Sequence, residues 1–147
     1  MSGLARVTPG QNSTFLLLAG DVAHHPALIR PSPLVPLPEE LKESLPVALR
    51  NAGAPTYDQP FLGFATGNGS IHQDPALAQK TLEGLTAFDA RPDVLFLIAH
   101  DTSVEPIIGE FPAQLDDWYA KDLKEKAAWA YLEEDNPAFR WPASVAR

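Results

Sequence analysis

Apolar and polar residues alternate from Leu4 to Thr8, the two-residue period of a β-strand. Pro9-Gly10-Gln11-Asn12-Ser13 is dense in turn residues. Thr14 to Ala19 follows as a continuous run, apolar from Phe15 on, and Gly20-Asp21 ends it. A short run without alternation predicts a strand buried on both faces. The two strands are expected to form a hairpin across a turn of about five residues. A second unbroken run, Val94 to Ala99, leads directly into His100-Asp101. Asp74-Pro75 is a helix start, with aspartate as cap and proline at the first helical position. Ala78, Leu82, Leu85 and Phe88 then lay out one apolar stripe, which Asp89 to Asp93 breaks. Gln114 to Glu134 predicts a further helix, with Leu115, Trp118, Tyr119, Leu123 and Ala127 on or near one face.

The remainder is irregular. Prolines at 26, 31, 33, 36 and 38 exclude a regular helix or a central strand from that segment and predict an extended, semi-rigid one. Glu39 to Arg50 predicts a helix interrupted by Pro46. Residues 52–71, with four glycines and two prolines, read as a long loop, and 136–147 as an irregular tail.

Composition narrows the function. The 147 residues suit one domain able to bury roughly two-thirds of its unfolded surface. With 45% apolar and 20% charged residues the chain is ordinary for a folded protein. The absence of cysteine excludes a disulfide framework, a thiolate zinc site and a cysteine nucleophile. A net charge of −8 repels phosphate backbones and no basic patch offsets it, so no nucleic-acid partner is expected. Neither apolar run is long enough for a bilayer, and the first residues lack a secretory pattern, so a cytoplasmic protein without a membrane partner is expected.

The candidate chemistry lies at the ends of the two buried strands, where layered α/β folds build sites on rigid supports: Gly20-Asp21 with His24-His25, and His100-Asp101. Asp21 reads as a turn carboxylate, a paired one or a metal ligand. His24 and His25 are adjacent and cannot easily serve one ion together; one of them reads as a packed, hydrogen-bonded histidine. His100, directly behind an apolar strand, needs a partner or a metal if buried, because an unpaired buried imidazole costs a few kcal/mol. Asp101 either orients it or begins the next turn. His72, in a glycine-rich loop with no strand behind it, reads as structural. Gly67-Asn68-Gly69 lacks the context of a phosphate loop, and Ser103 that of a nucleophile. Glu133-Glu134-Asp135 reads as a solvated helix end, and Trp118, Trp129 and Tyr131 as core.

Leu17-Leu18-Ala19-Gly20-Asp21-Val22-Ala23-His24-His25, then Arg30-Pro31-Ser32, then Val94 to His100 with Asp101, resemble the C-terminal half of metallo-β-lactamase-fold proteins. The likeness is to a branch with Gly-Asp-x-x-His-His and Ala-His-Asp signatures. It implies an α/β fold, the second half of an αββα sandwich, as a partial domain over residues 3–141 with 142–147 as a tail. In that family a Gly-Asp strand end supplies the aspartate that bridges two metals, and a later strand end supplies a histidine to the second. The resemblance therefore implies Asp21 and His100 as metal ligands and zinc as the cofactor. The position three after the bridging aspartate carries a catalytic tyrosine in the family's lactonases. His24 stands there, which implies a catalytic, proton-donating role for it.

The family's His-x-His-x-Asp-His motif belongs to the N-terminal half, and no such run occurs in these residues. A two-metal site holds its ions about 3.5–4 Å apart, and Asp21 with His100, even with His24 or His25 added, is too small a set for it. The implied function is metal-dependent hydrolysis of an ester, lactone or thioester once completed by an N-terminal half, weak or absent in this chain alone. The alternative is a non-catalytic interaction module that pairs through an exposed sheet face. The helices at 74–88 and 114–134 are expected to cover one face only, the irregular segments being unfit to cover the other. Self-association or a partner chain is expected on that ground.

Overall fold

The computed structural model describes residues 2–8, 10, 12–51, 56–65, 70, 72–110, 112–133 and 136. The readings made for Gly67-Asn68-Gly69, for Glu134-Asp135, and for the tail with its domain limit at 141 lie outside the described residues.

Strands β1 (Gly3–Thr8) and β2 (Thr14–Gly20) form the expected antiparallel hairpin, with Leu4 opposite Leu17 and Arg6 opposite Phe15. Strand β3 (Val94–Ile98) lies parallel to β2 on its other side, Leu16 opposite Leu95 and Leu17 opposite Phe96. The result is a three-stranded mixed sheet in the order β1-β2-β3, and with its helices the chain is α/β. A parallel neighbour demands a long crossover. This one runs through the proline-rich segment, the short helix α1 (Val47–Asn51) and helix α2 (Pro75–Asp89). Helix α2 starts where the sequence places it: the Asp74 carboxylate accepts the Leu77 N–H at 2.9 Å. Leu82 is buried and Ala78 and Leu85 half-buried, but Phe88 stays exposed, and it is Asp89 that turns inward.

Both faces of the sheet carry buried packing over β2 and β3, which overturns the expectation of one bare face. Leu17, Ala19, Val94 and Phe96 pack with Leu82 of α2, Ala23, Ile29 and the half-buried Phe64. On the opposite face Leu95 packs with Trp118 and Leu123, backed by Leu16, Leu97, Ile107 and Leu115. The two amphipathic segments thus take opposite faces, and irregular chain fills in around them. Irregular chain can do so because its backbone polar groups are paired locally. Ile29 N–H reaches Pro26 C=O at 2.8 Å, Leu37 N–H reaches Tyr57 C=O at 2.8 Å, and Ser32 and Val35 exchange a pair of bonds. Ala27 and Leu37 of this segment join Leu45, Leu49 and Tyr131 in a further buried cluster. What stays open is the part of the sheet next to β1, where Leu4 of the edge strand and Leu18 of the central strand β2 are half exposed.

The single helix expected over 114–134 is instead a series of turns through residues 116–122 and a short helix α4 (Leu123–Ala128), preceded by α3 (Glu105–Ile108). The apolar spacing is right for burial, since Trp118, Leu123 and Ala127 are in the core. The helix fails because Asp122 takes the left-handed conformation, φ 54°, a geometry aspartate tolerates better than most residues. Tyr119 faces solvent as a consequence. Trp118 and Tyr131 are core, as the sequence suggests, and Trp129 is half-buried against the Tyr131 cluster.

Two cations lock these layers. Arg30, buried, gives both Nε and Nη2 to the buried Asp89 carboxylate, and Nη1 to Ala128 C=O at 2.8 Å. Lys124 Nζ donates to the carbonyls of Asp89, Arg91 and Val94. Together they tie the end of α2 and the start of β3 to α4.

Candidate metal centre

Strands β2 and β3 end side by side. Ala99 N–H donates to Gly20 C=O at 3.0 Å, so pairing runs to the residue before each candidate ligand. Gly20 (φ 60°) and His100 (φ 68°) then both turn left-handed. For an L-residue this conformation costs roughly 1–2 kcal/mol. It lifts His100 out of the sheet, so the imidazole is not buried as an apolar strand end suggests; its side chain is 58% exposed, and that of Asp21 68%. His100 Nε2–H donates to Asp21 Oδ1 at 2.9 Å. The His24 ring stacks on His100, centroids 5.0 Å apart and planes 19° from parallel. Asp21, His24 and His100 each offer one ligand atom, all within 4.8 Å of one another, the one group of three such donors among the described residues.

The neighbours divide clearly. His25 points the other way from His24. Its Nδ1 accepts the Ala27 N–H at 3.1 Å, capping the turn Pro26–Leu28, and its ring meets Tyr131 edge-on. Burial holds its pKa below the ordinary histidine value, against a weaker upward pull from Asn136 and the Asp101 charge. A neutral, packed histidine results. Asp101 begins the next turn: its Oδ1 accepts from the N–H and hydroxyl of Ser103. That side chain is committed to a cap, and it also engages the hydroxyl of Ser103.

His72 is closer to the cluster than its loop suggests. Its ring lies 6.5 Å from that of His24 and packs edge-on against Phe64. It shares with Asp21, Val22, Leu77 and Ala78 the walls of a recess of about 390 Å³ on the β2 side of the centre. On the β3 side, Leu97, Ile98, Val104 and Ile108 line a second recess, of about 310 Å³, that opens at His100. Neither recess is visible in the periodicity of the chain. The available signal was position alone, because chain leaving a strand end is where a site's walls are drawn.

Three relatives are similar to this chain in sequence. Over 147 aligned positions the chain is 31% identical to gamma-lactamase FDB1 of Fusarium pseudograminearum, covering 93% of this chain and 35% of that protein. It is 29% identical to metallo-hydrolase mfmC of Annulohypoxylon moriforme, over 94% of this chain and 37% of that protein. The chain is related to metallo-β-lactamase-fold proteins. The alignment with gamma-lactamase FDB1, over 93% of the chain, spans both strand ends. Cytochrome P450 monooxygenase mpaDE' of Penicillium brevicompactum is also similar, 29% identical over 91% of this chain and 14% of its own length. The chain spans little more than a third of the first two relatives. No protein-family model and no solved structure matches it.

Proposed function

We propose that Asp21, His24 and His100 hold one divalent metal ion, zinc in the first instance, in a hydrolytic site of metallo-β-lactamase type acting on a cyclic amide, lactone, ester or thioester. The observation that carries this reading is the convergence of three donors at the ends of two paired strands. The donor set suits zinc: one carboxylate and two imidazoles leave a fourth position open, the arrangement of a catalytic zinc. Donors around one tetrahedral zinc lie about 3.3 Å apart by bond-length geometry. The present spread of up to 4.8 Å therefore asks only for a small closure of exposed side chains. When bound, the ion supplies Lewis acidity toward a carbonyl and an activated water. Asp21 balances its charge, His100 is fixed by its strand end, and His24 completes the set. This places His24 among the ligands rather than in proton transfer.

These donors serve one ion, and hydrolysis by the 147-residue chain alone is expected to be slow. Calorimetric titration with zinc tests the reading. One ion per chain is expected, with a loss of tenfold or more in affinity on Asp21→Ala or His100→Ala. A wild-type chain that takes up no stoichiometric zinc ends it. A second reading, an interaction module, is favoured by one observation, the open edge strand β1 with its half-exposed Leu4. Sedimentation of the purified chain tests that reading: a dimer or larger species supports it, and a monomer at high concentration removes it.

A further inference from the structure

Of the four histidines in the chain, three gather in one place. His25 is committed elsewhere, its Nδ1 accepting the Ala27 N–H. His24 stacks on His100, and the ring of His72 stands 6.5 Å from that of His24, tilted by 59°. Although the chain around it has no period, His72 is held. The Ser70 hydroxyl accepts the His72 N–H at 3.0 Å and donates to the His72 C=O at 3.2 Å, and two residues further on Asp74 caps helix α2. The ring rests edge-on against Phe64 at 4.5 Å, and Phe64 packs on the buried core. An imidazole carries two nitrogens that seek partners. Those of the half-buried His72 make no hydrogen bond among the described residues, and the side chain shares a recess with Asp21.

Two imidazoles on one tetrahedral zinc hold their ring centres about 5 Å apart, given Zn–N bonds of about 2.0–2.1 Å. His24 and His100 already stand at that spacing, 5.0 Å. His24 and His72 exceed it by about 1.5 Å, a closure of the size that Asp21, His24 and His100 need among themselves. We propose that His72 is a fourth protein ligand, filling in the resting chain the position that the other three leave open. The inference rests on the metal reading above and adds a control to that site. Three imidazoles and one carboxylate complete a tetrahedral shell, the condition of a structural zinc, whereas a catalytic zinc keeps one position for water or substrate. His72 is then an internal competitor for that position and has to withdraw before a substrate carbonyl can reach the ion. Slow hydrolysis by this chain acquires a removable cause.

The test follows the histidines of the full chain, labelled with nitrogen-15, by long-range proton–nitrogen NMR as zinc is added, with uptake measured by calorimetry. At one equivalent of zinc, one ring nitrogen each of His24, His72 and His100 is expected to shift to a metal-bound position, with His25 unmoved. His72→Ala is expected to bind zinc about tenfold more weakly and yet, loaded with zinc, to hydrolyse p-nitrophenyl acetate several-fold faster. His72→Phe, which keeps a ring against Phe64, is expected to do the same, and zinc-free melts check that both variants fold. Zinc uptake that shifts His24 and His100 but not His72 overturns the inference and leaves the metal reading standing. Unchanged zinc affinity in the folded variants does the same, and hydrolysis no faster than wild type in both overturns the closing role. Absence of zinc uptake by the wild-type chain overturns the metal reading itself, and the inference falls with it.

Discussion

Gly20 and His100 end neighbouring parallel strands in the same left-handed backbone conformation, at φ 60° and 68°. Glycine adopts it freely; histidine does so at roughly 1–2 kcal/mol. His100→Gly relieves that strain, loses an exposed hydrogen bond to Asp21, and adds backbone entropy of about 0.5–1 kcal/mol to the unfolded chain. A melting temperature within a few degrees of wild type is expected, with zinc binding lost. Gly20→Ala forces a side chain into the same geometry and is expected to cost about 1–2 kcal/mol. Thermal melts of both variants check the pair. A large drop for His100→Gly would show that the histidine serves the fold rather than the site.

The Arg30–Asp89 pair joins segments 59 residues apart through two parallel bonds in the interior. Asp89→Ala leaves a buried guanidinium unpaired and is expected to cost about 3–5 kcal/mol. The double change Arg30→Met with Asp89→Leu removes both charges and is expected to recover most of that loss. A double variant as unstable as the single one would locate the pair's role in the Arg30 bond to Ala128 instead.

Lys124 is a compact donor to three converging carbonyls, with burial pressing its pKa down. Lys124→Met strands those acceptors, at about 1–3 kcal/mol. Lys124→Arg is expected to rescue little, because a planar fork does not match three carbonyls around one point. Urea unfolding reads this as a lower midpoint at unchanged slope. Full rescue by arginine would mean that charge alone matters.

His25 gives the fold a pH dependence. Burial lowers its pKa in the folded chain, while the unfolded chain keeps the ordinary value near 6.5. Below that value the unfolded state binds a proton that the folded state refuses, so this contribution is intact above about pH 6.5 and is lost as pH falls toward the folded pKa. Melts at pH 7.5 and 5.5 are expected to show a smaller acid loss in His25→Gln than in wild type. Equal losses would assign the acid sensitivity to other groups.

Sequence pattern carried the strands and the meeting of Asp21 with His100 further than it carried the helices. The two apolar runs admitted one reading each, and the rule that chemistry gathers where buried strands end led to Asp21 and His100 without any contact information. The helix expected over 114–134 failed because periodicity reports which side chains are buried, not whether the backbone between them is continuous. Trp118 and Leu123 are buried as that spacing requires, with the left-handed Asp122 between them. The irregular share of the cover on the α2 face was illegible for a similar reason, since Ile29 and Phe64 reach the core there from chain without any period. Asp89 reads as a helix breaker because its partner, Arg30, lies in a segment that predicts only stiffness.

Parallel pairing makes the two halves of the centre late companions. Asp21 and His100 stand 79 residues apart along the chain, and only the closed crossover through α2 brings them into register. The β1–β2 hairpin can close on the microsecond scale, but contacts of such separation form slowly and late. A cation meets separate donors in the unfolded chain and a joined set in the native one. Its binding energy then falls on a contact absent from the folding transition state. Zinc should slow unfolding while leaving the refolding rate nearly unchanged.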